Sequence, residues 1–308
     1  MTLLAYERKN LRSETLDIIA GICQIVAENE GYSLTVRQIH YQFVSKGWLP
    51  NNGKTYGQIQ GAAKTGRRAG LISWTAIEDR GRQLMGLQTW ETPQAALRET
   101  LRDYRTDMWA NQPWRPEVWV EKQALEGVIG QIANKLRVDF YAQKGYDSES
   151  QSWRAGQRFA RYIQKGQRPT VFHLGDHDPS GRDMTRDNQE RLSLFAGTPI
   201  IVQRLALNLP QIREFNPPPN FTKDEARSDS YRAYMVENGA DPDSSWELDA
   251  LRPPVIQDII ERAILKVRDP ELWDQALRQE VEDRRMLQEM MEIMGGGSSA
   301  GPSGGEED

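Results

Sequence analysis

The chain has 308 residues, with 39 Lys and Arg against 44 Asp and Glu for a net charge of -5, and a single cysteine. Single domains cluster near 100 to 150 residues, so about two are expected, and the lone Cys23 excludes a disulfide framework or a cysteine-ligated zinc within one chain. No run reaches the ~18 apolar residues of a membrane span and the N-terminus lacks a secretory core, so the expectation is a cytoplasmic, nucleoid-associated protein, neither exported nor membrane-bound.

Leu11, Leu16, Ile18, Ile19, Ile22, Ile25 and Val26 recur at helical spacing over 10–29 and Gly31 follows as a stop, which predicts a first helix. A second is predicted over 36–46, with Thr35 and Gln38 in capping-box spacing and Gly47 as its stop. A third spans about 55–69 after "PNNGK", although each glycine inside it costs about 1 kcal/mol against alanine. "LISWTAI" (71–77) then has strand-like content before the turn "EDRGR". Three short helices and a small extended element are the order of a winged helix, a helix-turn-helix relative that usually contacts duplex DNA.

Charge distribution is compatible with that partner. Residues 279–308 hold eight acids (Glu280, Glu282, Asp283, Glu289, Glu292, Glu306, Glu307, Asp308) and two bases, Arg284 and Arg285, leaving the remaining residues near neutral. Within them, Lys54, Lys64, Arg67, Arg68, Arg80 and Arg82 outnumber Glu78 and Asp79 over 54–82 and are candidate phosphate contacts, with an ordinary solvated face as the alternative.

Residues 88–116, rich in Trp and Pro, read as a packed connector. Strand and helix patterns then alternate: "EVWVEK", a helix over 123–136, "VDFYAQ", a helix over 150–165, "TVFHLG", a helix over 182–195, and "PIIVQRLAL". Such alternation predicts a mainly parallel sheet covered by helices. Residues 253–267 and 270–294 look helical, and the Gly/Ser-rich acidic end, 295–308, is expected to be disordered. The fold class is therefore an α/β domain with a parallel central sheet, joined to a small α+β winged-helix domain. The expected division is 1–87 (winged helix), 88–116 (connector), 117–268 (α/β domain), 269–294 (C-terminal helix) and 295–308 (tail).

Three carboxylates stand at predicted strand ends: Glu121, and Asp176 and Asp178 after "VFHLG". Open α/β sheets bind ligands at the carboxyl ends of their strands. If the two strands are neighbours, the three groups share one edge and repel unless a divalent cation neutralises them, and oxygen ligands favour Mg2+ or Mn2+. The plainer alternative makes the aspartates turn formers and Glu121 a helix cap. The sequence "VEKQAL", then "KGY" (144–146), then "LGDHDPSG" resembles the Toprim domain carried by the A subunit of topoisomerase VI and by its meiotic relative that makes double-strand breaks. That resemblance implies that Glu121, Asp176 and Asp178 are Mg2+ ligands.

A metal site alone serves a nuclease, a primase-like enzyme or a transesterase, so a nucleophile decides among them. Helical steps of about 100° put Val36, Ile39 and Phe43 within about 60° of one another and Tyr41 about 140° from Val36, facing away from the core. Arg37, four residues earlier, lies on the same flank. A phenol with pKa near about 10 needs a nearby cation to attack a phosphodiester. A tyrosine that merely meets water is the alternative. "TVRQIHYQF" resembles the active-tyrosine segment of the same family, in which an arginine precedes the nucleophile by four residues. His40 departs from it, standing where the relatives usually carry an aromatic, and reads as core, as does His173. "GRRAGLISWTAIEDRGR" and "WELDAL" (246–251) are similar to phage and plasmid proteins that join a winged helix to a Toprim domain. The sequence suggests no chemistry for Glu247 beyond support of the site, and none for His177.

Over 33–265, then, the chain resembles a short type IIB topoisomerase A subunit. The resemblance implies Mg2+-dependent cleavage of duplex DNA through a 5'-phosphotyrosyl link at Tyr41, assisted by Arg37. It also implies a homodimer in which the tyrosine of one chain faces the acids of the other. Strand passage would need a separate GHKL-type ATPase B subunit, since no phosphate-cradling Gly-rich loop gives this chain a nucleotide site. Two alternatives stay open: a Toprim nuclease using water, and a non-catalytic winged-helix DNA-binding protein.

Overall fold

The computed structural model describes residues 3, 5–7, 10–77, 87–143, 145–146, 148–222 and 228–296. In chain order the elements are α1 (Ser13–Glu28), α2 (Val36–Ser45), α3 (Gly53–Arg68), α4 (Pro93–Asp103), β1 (Trp114–Val120), α5 (Glu126–Lys135), β2 (Asp139–Ala142), α6 (Glu149–Gln164), β3 (Arg168–Leu174) and α7 (Pro179–Ala196). They continue with β4 (Ile201–Ala206), α8 (Leu209–Phe215), β5 (Asn220–Phe221), α9 (Ser228–Glu237), β6 (Ser244–Ser245), α10 (Pro253–Val267) and α11 (Pro270–Gly296). Residues 1–82 and 114–267 form one compact unit; 83–113 and 268–308 form a second. Among the described residues no helix is long and apolar enough to cross a membrane.

In the first unit, α1, α2 and α3 close around Ile22, Ile25, Leu34, Ile39 and Ile59, all fully buried. The capping box is present: Thr35 accepts from Gln38 N, and the Gln38 side chain accepts from Thr35 N at 2.8 Å. The expected strand over 71–77 does not form. Ile72, Ala76 and Ile77 turn into the helical core, and only a single bridge joins Leu34 to Ile77, so burial takes these apolar residues before a ladder can. The "EDRGR" turn falls at 78–82, outside the described residues.

The four-stranded sheet is parallel throughout, in the order β2-β1-β3-β4. One face carries α6 and α7 over Trp119, Phe159, Val171 and Leu192; α5 and α10 lie on the other, α10 through Ile256, Ile260, Ala263 and Ile264. Covering of both faces leaves the last five residues of β1 and the last six of β3 buried without alternation. The three-helix segment joins this α/β layer through α2, which packs on the turn at 248–250, and through Tyr32, whose hydroxyl donates to Gln257 at 2.8 Å.

The second unit pairs α4 with α11. Trp109 packs edge-on to Trp273 with centroids 5.8 Å apart, and Tyr104 donates to Asp283 at 2.8 Å. Helix α4 lies inside the stretch expected to be a connector: Thr92 caps it and Pro93 begins it, and it buries no residue fully. Of the tail expected to be disordered, 295–308, Gly295 and Gly296 still belong to α11 and 297–308 lie outside the described residues.

Two glycines of opposite character test the packing. A Cβ at Gly156 would lie 2.4 Å from Phe195 Cβ, where α6 crosses α7, whereas a Cβ at Gly61 on α3 meets nothing within 4 Å. Gly156→Ala is expected to cost about 1–3 kcal/mol, and Gly61→Ala to stabilise by up to about 1 kcal/mol, in urea unfolding. Equal shifts would mean that the crossing relaxes freely.

Candidate functional site

Strand register assembles the site. Val120 is paired with Leu174, and Glu121 N donates to Leu174 O at 2.9 Å, so the residues that follow β1 and β3 leave the sheet side by side. The chain passes from β1 to β2 on one side and returns to β3 on the other, which makes this the switch point where open α/β sheets bind ligands. Glu121 Oε2 accepts from Asp176 N at 2.8 Å. Gly175 and Gly181 frame that carboxylate: a Cβ at either would stand 2.8 or 2.9 Å from Oε2. Asp178 begins α7 as its N-cap, its Oδ1 accepting from Gly181 N at 2.6 Å.

The acids are held against one another. Burial, followed by the charges of Asp176 and Asp178, raises Glu121 far above the usual carboxylate range. Burial also raises Asp176, against the pull of Lys122. An all-oxygen, negatively charged cradle walled by two glycines fits a hard divalent cation in chemistry. The three carboxylates do not yet converge, and among the described residues no three His, Cys, Asp or Glu side chains form a metal-binding group. Asp176 is turned onto Lys122 and Leu248 N, while Asp178 is turned onto α7.

Lys122 is the hub. Its ammonium lies 3.0 Å from Asp176 Oδ1, 2.6 Å from Glu247 Oε2 and 2.8 Å from Asp249 Oδ1. Burial alone would lower its pKa, but these three carboxylates raise it well above the ordinary lysine value. Glu247 Oε2 also pairs with Arg37, and Arg37 donates to the Tyr41 hydroxyl at 3.4 Å. Cation and carboxylate therefore alternate from the acid loop to the tyrosine.

Tyr41 is 5% exposed, which corrects its expected outward position. The helical angle does point it away from the core of α1–α3, but the 248–250 turn packs against that side of α2 and covers it. Burial, with Glu247 beside it, pushes the phenol up to about 12, so at rest it is held protonated. A cleft of about 750 Å3 is lined by Tyr41, Arg37, Glu121, Asp176 and Asp178 of the same chain. The groups expected to meet across two chains already share one cleft within one.

The basic residues separate. Lys54 and Lys64 are exposed on α3, whereas Arg68 pairs with Glu7 at 2.8 Å and Arg67 donates to Ile77 O at 3.1 Å, lying over Trp74. Arg80 and Arg82, like Lys144 of "KGY", lie outside the described residues. A second groove of about 720 Å3, lined by Lys64, Arg67 and Gln60, shares Arg37 and Tyr56 with the cleft. His40 and His173 are buried, as expected of core residues.

Sequence reasoning passed over Arg204 and Asp249 and left Glu247 without a chemical role. Arg204, on β4, donates to the carbonyls of Gly175 at 3.0 Å, Asp176 at 2.5 Å and Gly181 at 2.7 Å, pinning the acid loop from beneath; burial lowers its pKa to about 10. The signal for Glu247 and Asp249 was "WELDAL", legible only once a partner cation was placed beside it. Comparison with protein-family models, curated proteins and solved structures finds no match to this chain.

Two measurements check the network. Lys122→Met should cost about 3–5 kcal/mol in urea unfolding, since Asp176 loses its ion pair and Glu247 and Asp249 are left to share Arg37; a loss below about 1 kcal/mol would show the acids already solvated. Burial raises Glu247, but Lys122 and Arg37 together pull it down to about 2. A depressed carboxylate stabilises above its unfolded pKa and loses that contribution as pH falls through the folded one. Glu247→Gln should therefore cost about 1–2 kcal/mol near pH 7, allowing for solvent screening, and the gap should close as pH falls from about 4.5 to about 2. A gap constant with pH would remove the ion pairs from the account.

Proposed function

We propose that this chain is a DNA-cleaving transesterase resembling a type IIB topoisomerase A subunit, with Tyr41 as nucleophile and duplex DNA as substrate. The observation that supports it most is the cleft itself, where a tyrosine, its arginine and three strand-end acids face one space. Tyr41 Oη would form a bond to phosphorus while the bond to the 3' oxygen breaks; the phenol proton leaves and the 3' oxygen gains one. A phosphodiester is exchanged for a phosphotyrosine of similar energy, so the step is reversible and needs no ATP. Arg37 would bear on the charge that develops at the phosphate. Glu121, Asp176 and Asp178 would hold Mg2+, or Mn2+, which when bound supplies Lewis-acid stabilisation of phosphate charge.

The 5' linkage, a homodimer cutting both strands and a separate GHKL-type ATPase for strand passage belong to the same proposal, and come from the family resemblance. Lys64 lines the groove that meets the cleft at Arg37, and Lys54 is exposed on the same helix, a course that a DNA backbone could follow. A second reading, a Toprim nuclease in which water attacks, draws on the burial and high pKa of Tyr41.

End-labelled duplex incubated with the protein and Mg2+ or Mn2+, then stopped with detergent, separates the two. Label shifted with protein in the wild type, released by protease and absent from Tyr41→Phe and Asp176→Ala, is the expected result. Free ends that survive Tyr41→Phe but not Asp176→Ala would establish the nuclease instead.

A further inference from the structure

Arg37 and Lys122 share two carboxylates, Glu247 and Asp249, and the two differ in standing. The Asp249 side chain is 0% exposed, with Oδ1 2.8 Å from Lys122 Nζ and Oδ2 3.5 Å from Arg37 Nε. Glu247 grips the same two cations, yet its side chain is 21% exposed and lines the cleft. The buried acid keeps the cations in place whatever the other does. The cleft-side acid is the one that an incoming anion can reach.

Glu247 also gathers neutral donors. Asn220 Nδ2 donates to its Oε1 at 3.3 Å, and the Tyr41 hydroxyl, which accepts from Arg37 at 3.4 Å, lies near its carboxylate. A guanidinium, an ammonium, an amide and a hydroxyl around one singly charged, two-oxygen group are the donors that recognise a phosphodiester equally well. Charge balance agrees: replacing one monoanion by another between the same cations leaves no buried charge uncompensated. Little backbone need move, because Leu248 N is tied to Asp176 Oδ1 at 2.8 Å and only the Glu247 side chain must turn outward.

We propose that the Glu247 carboxylate occupies, in the free protein, a phosphodiester subsite formed by Arg37, Lys122, Asn220 and the Tyr41 hydroxyl, and that a DNA phosphate displaces it on binding. The proposal rests on the reading of Tyr41 given above and deepens it. The displaced position delivers the phosphate beside the phenol, and the same exchange frees Arg37 from its internal carboxylate.

The test compares wild type, Glu247→Gln, Asp249→Asn and the double variant Glu247→Gln/Arg37→Met, without divalent metal. The probes are a short linear DNA duplex and inorganic phosphate. Glu247→Gln should bind the duplex more tightly, by on the order of tenfold, because a competing like charge is gone, with a salt dependence steeper by about one counterion. Inorganic phosphate should raise its melting temperature more than that of the wild type. Arg37→Met in the double variant should abolish both gains, and Asp249→Asn should weaken both kinds of binding. Glu247→Ala serves the same comparison if the glutamine variant melts below the assay temperature. Unchanged or weaker binding by the folded Glu247 variants, or a gain that survives Arg37→Met, would overturn the subsite. Absence of tyrosine-linked DNA in the wild type, with the gains intact, would instead sink the transesterase reading and leave the phosphate site standing.

Discussion

The ammonium of Lys122, enclosed by Asp176, Glu247 and Asp249, is the interaction on which the rest of the site depends. Burying a charge costs several kcal/mol unless partners replace its water, and here three carboxylates do so. These groups come from three stretches of the chain. Asp176 follows β3, Lys122 follows β1, and Glu247 and Asp249 lie in the segment that closes over α2. One cation thus ties the sheet ends to the turn that covers Tyr41, and without it the acids would push one another apart.

A second buried cation serves the acid loop differently. Arg204 spends its donors on main-chain carbonyls of 175–181 rather than on a carboxylate, so it shapes the loop without neutralising any acid directly. Burial and the neighbouring charges of Asp176 and Asp178 therefore raise Glu121 to about 8, so that its carboxyl tends to keep a proton. The cleft has a pinned floor at the acid loop and an exchangeable wall at Glu247. A rigidly held acid loop and one displaceable carboxylate would keep the proposed site quiet until an anion arrives.

Local patterns were the most legible in the sequence. The Thr35–Gln38 capping box, the helical spacing of α1 and the alternation from β1 to β4 depend on residues close in the chain, and each forms within a few residues of its expected span. Adjacency of Glu121 and Asp176 was conditional in the sequence, because it required β1 and β3 to be neighbours, which the register of the sheet supplies. Helix α4 escaped notice because the tryptophans and prolines of 88–116 read as a connector, and the 71–77 strand was expected because its apolar content suits a strand and a buried turn equally. Arg67 and Arg68 counted as surface charge until Ile77, Trp74 and Glu7 were found beside them.

By itself the sequence determined the parallel α/β core, the three-helix segment before it, and the placing of acids at the ends of two apolar strands, since these follow from periodicity and from where strands must stop. Tertiary structure alone decided that Tyr41 is buried, that it shares a cleft with the acids of its own chain, and that Glu247 joins its arginine to Lys122. Those facts depend on contacts between residues 125 to 210 positions apart, such as Lys122 with Glu247 and Arg37 with Glu247. No local pattern encodes such a meeting, because the balance of charge that makes it favourable exists only once the chain has brought the groups together.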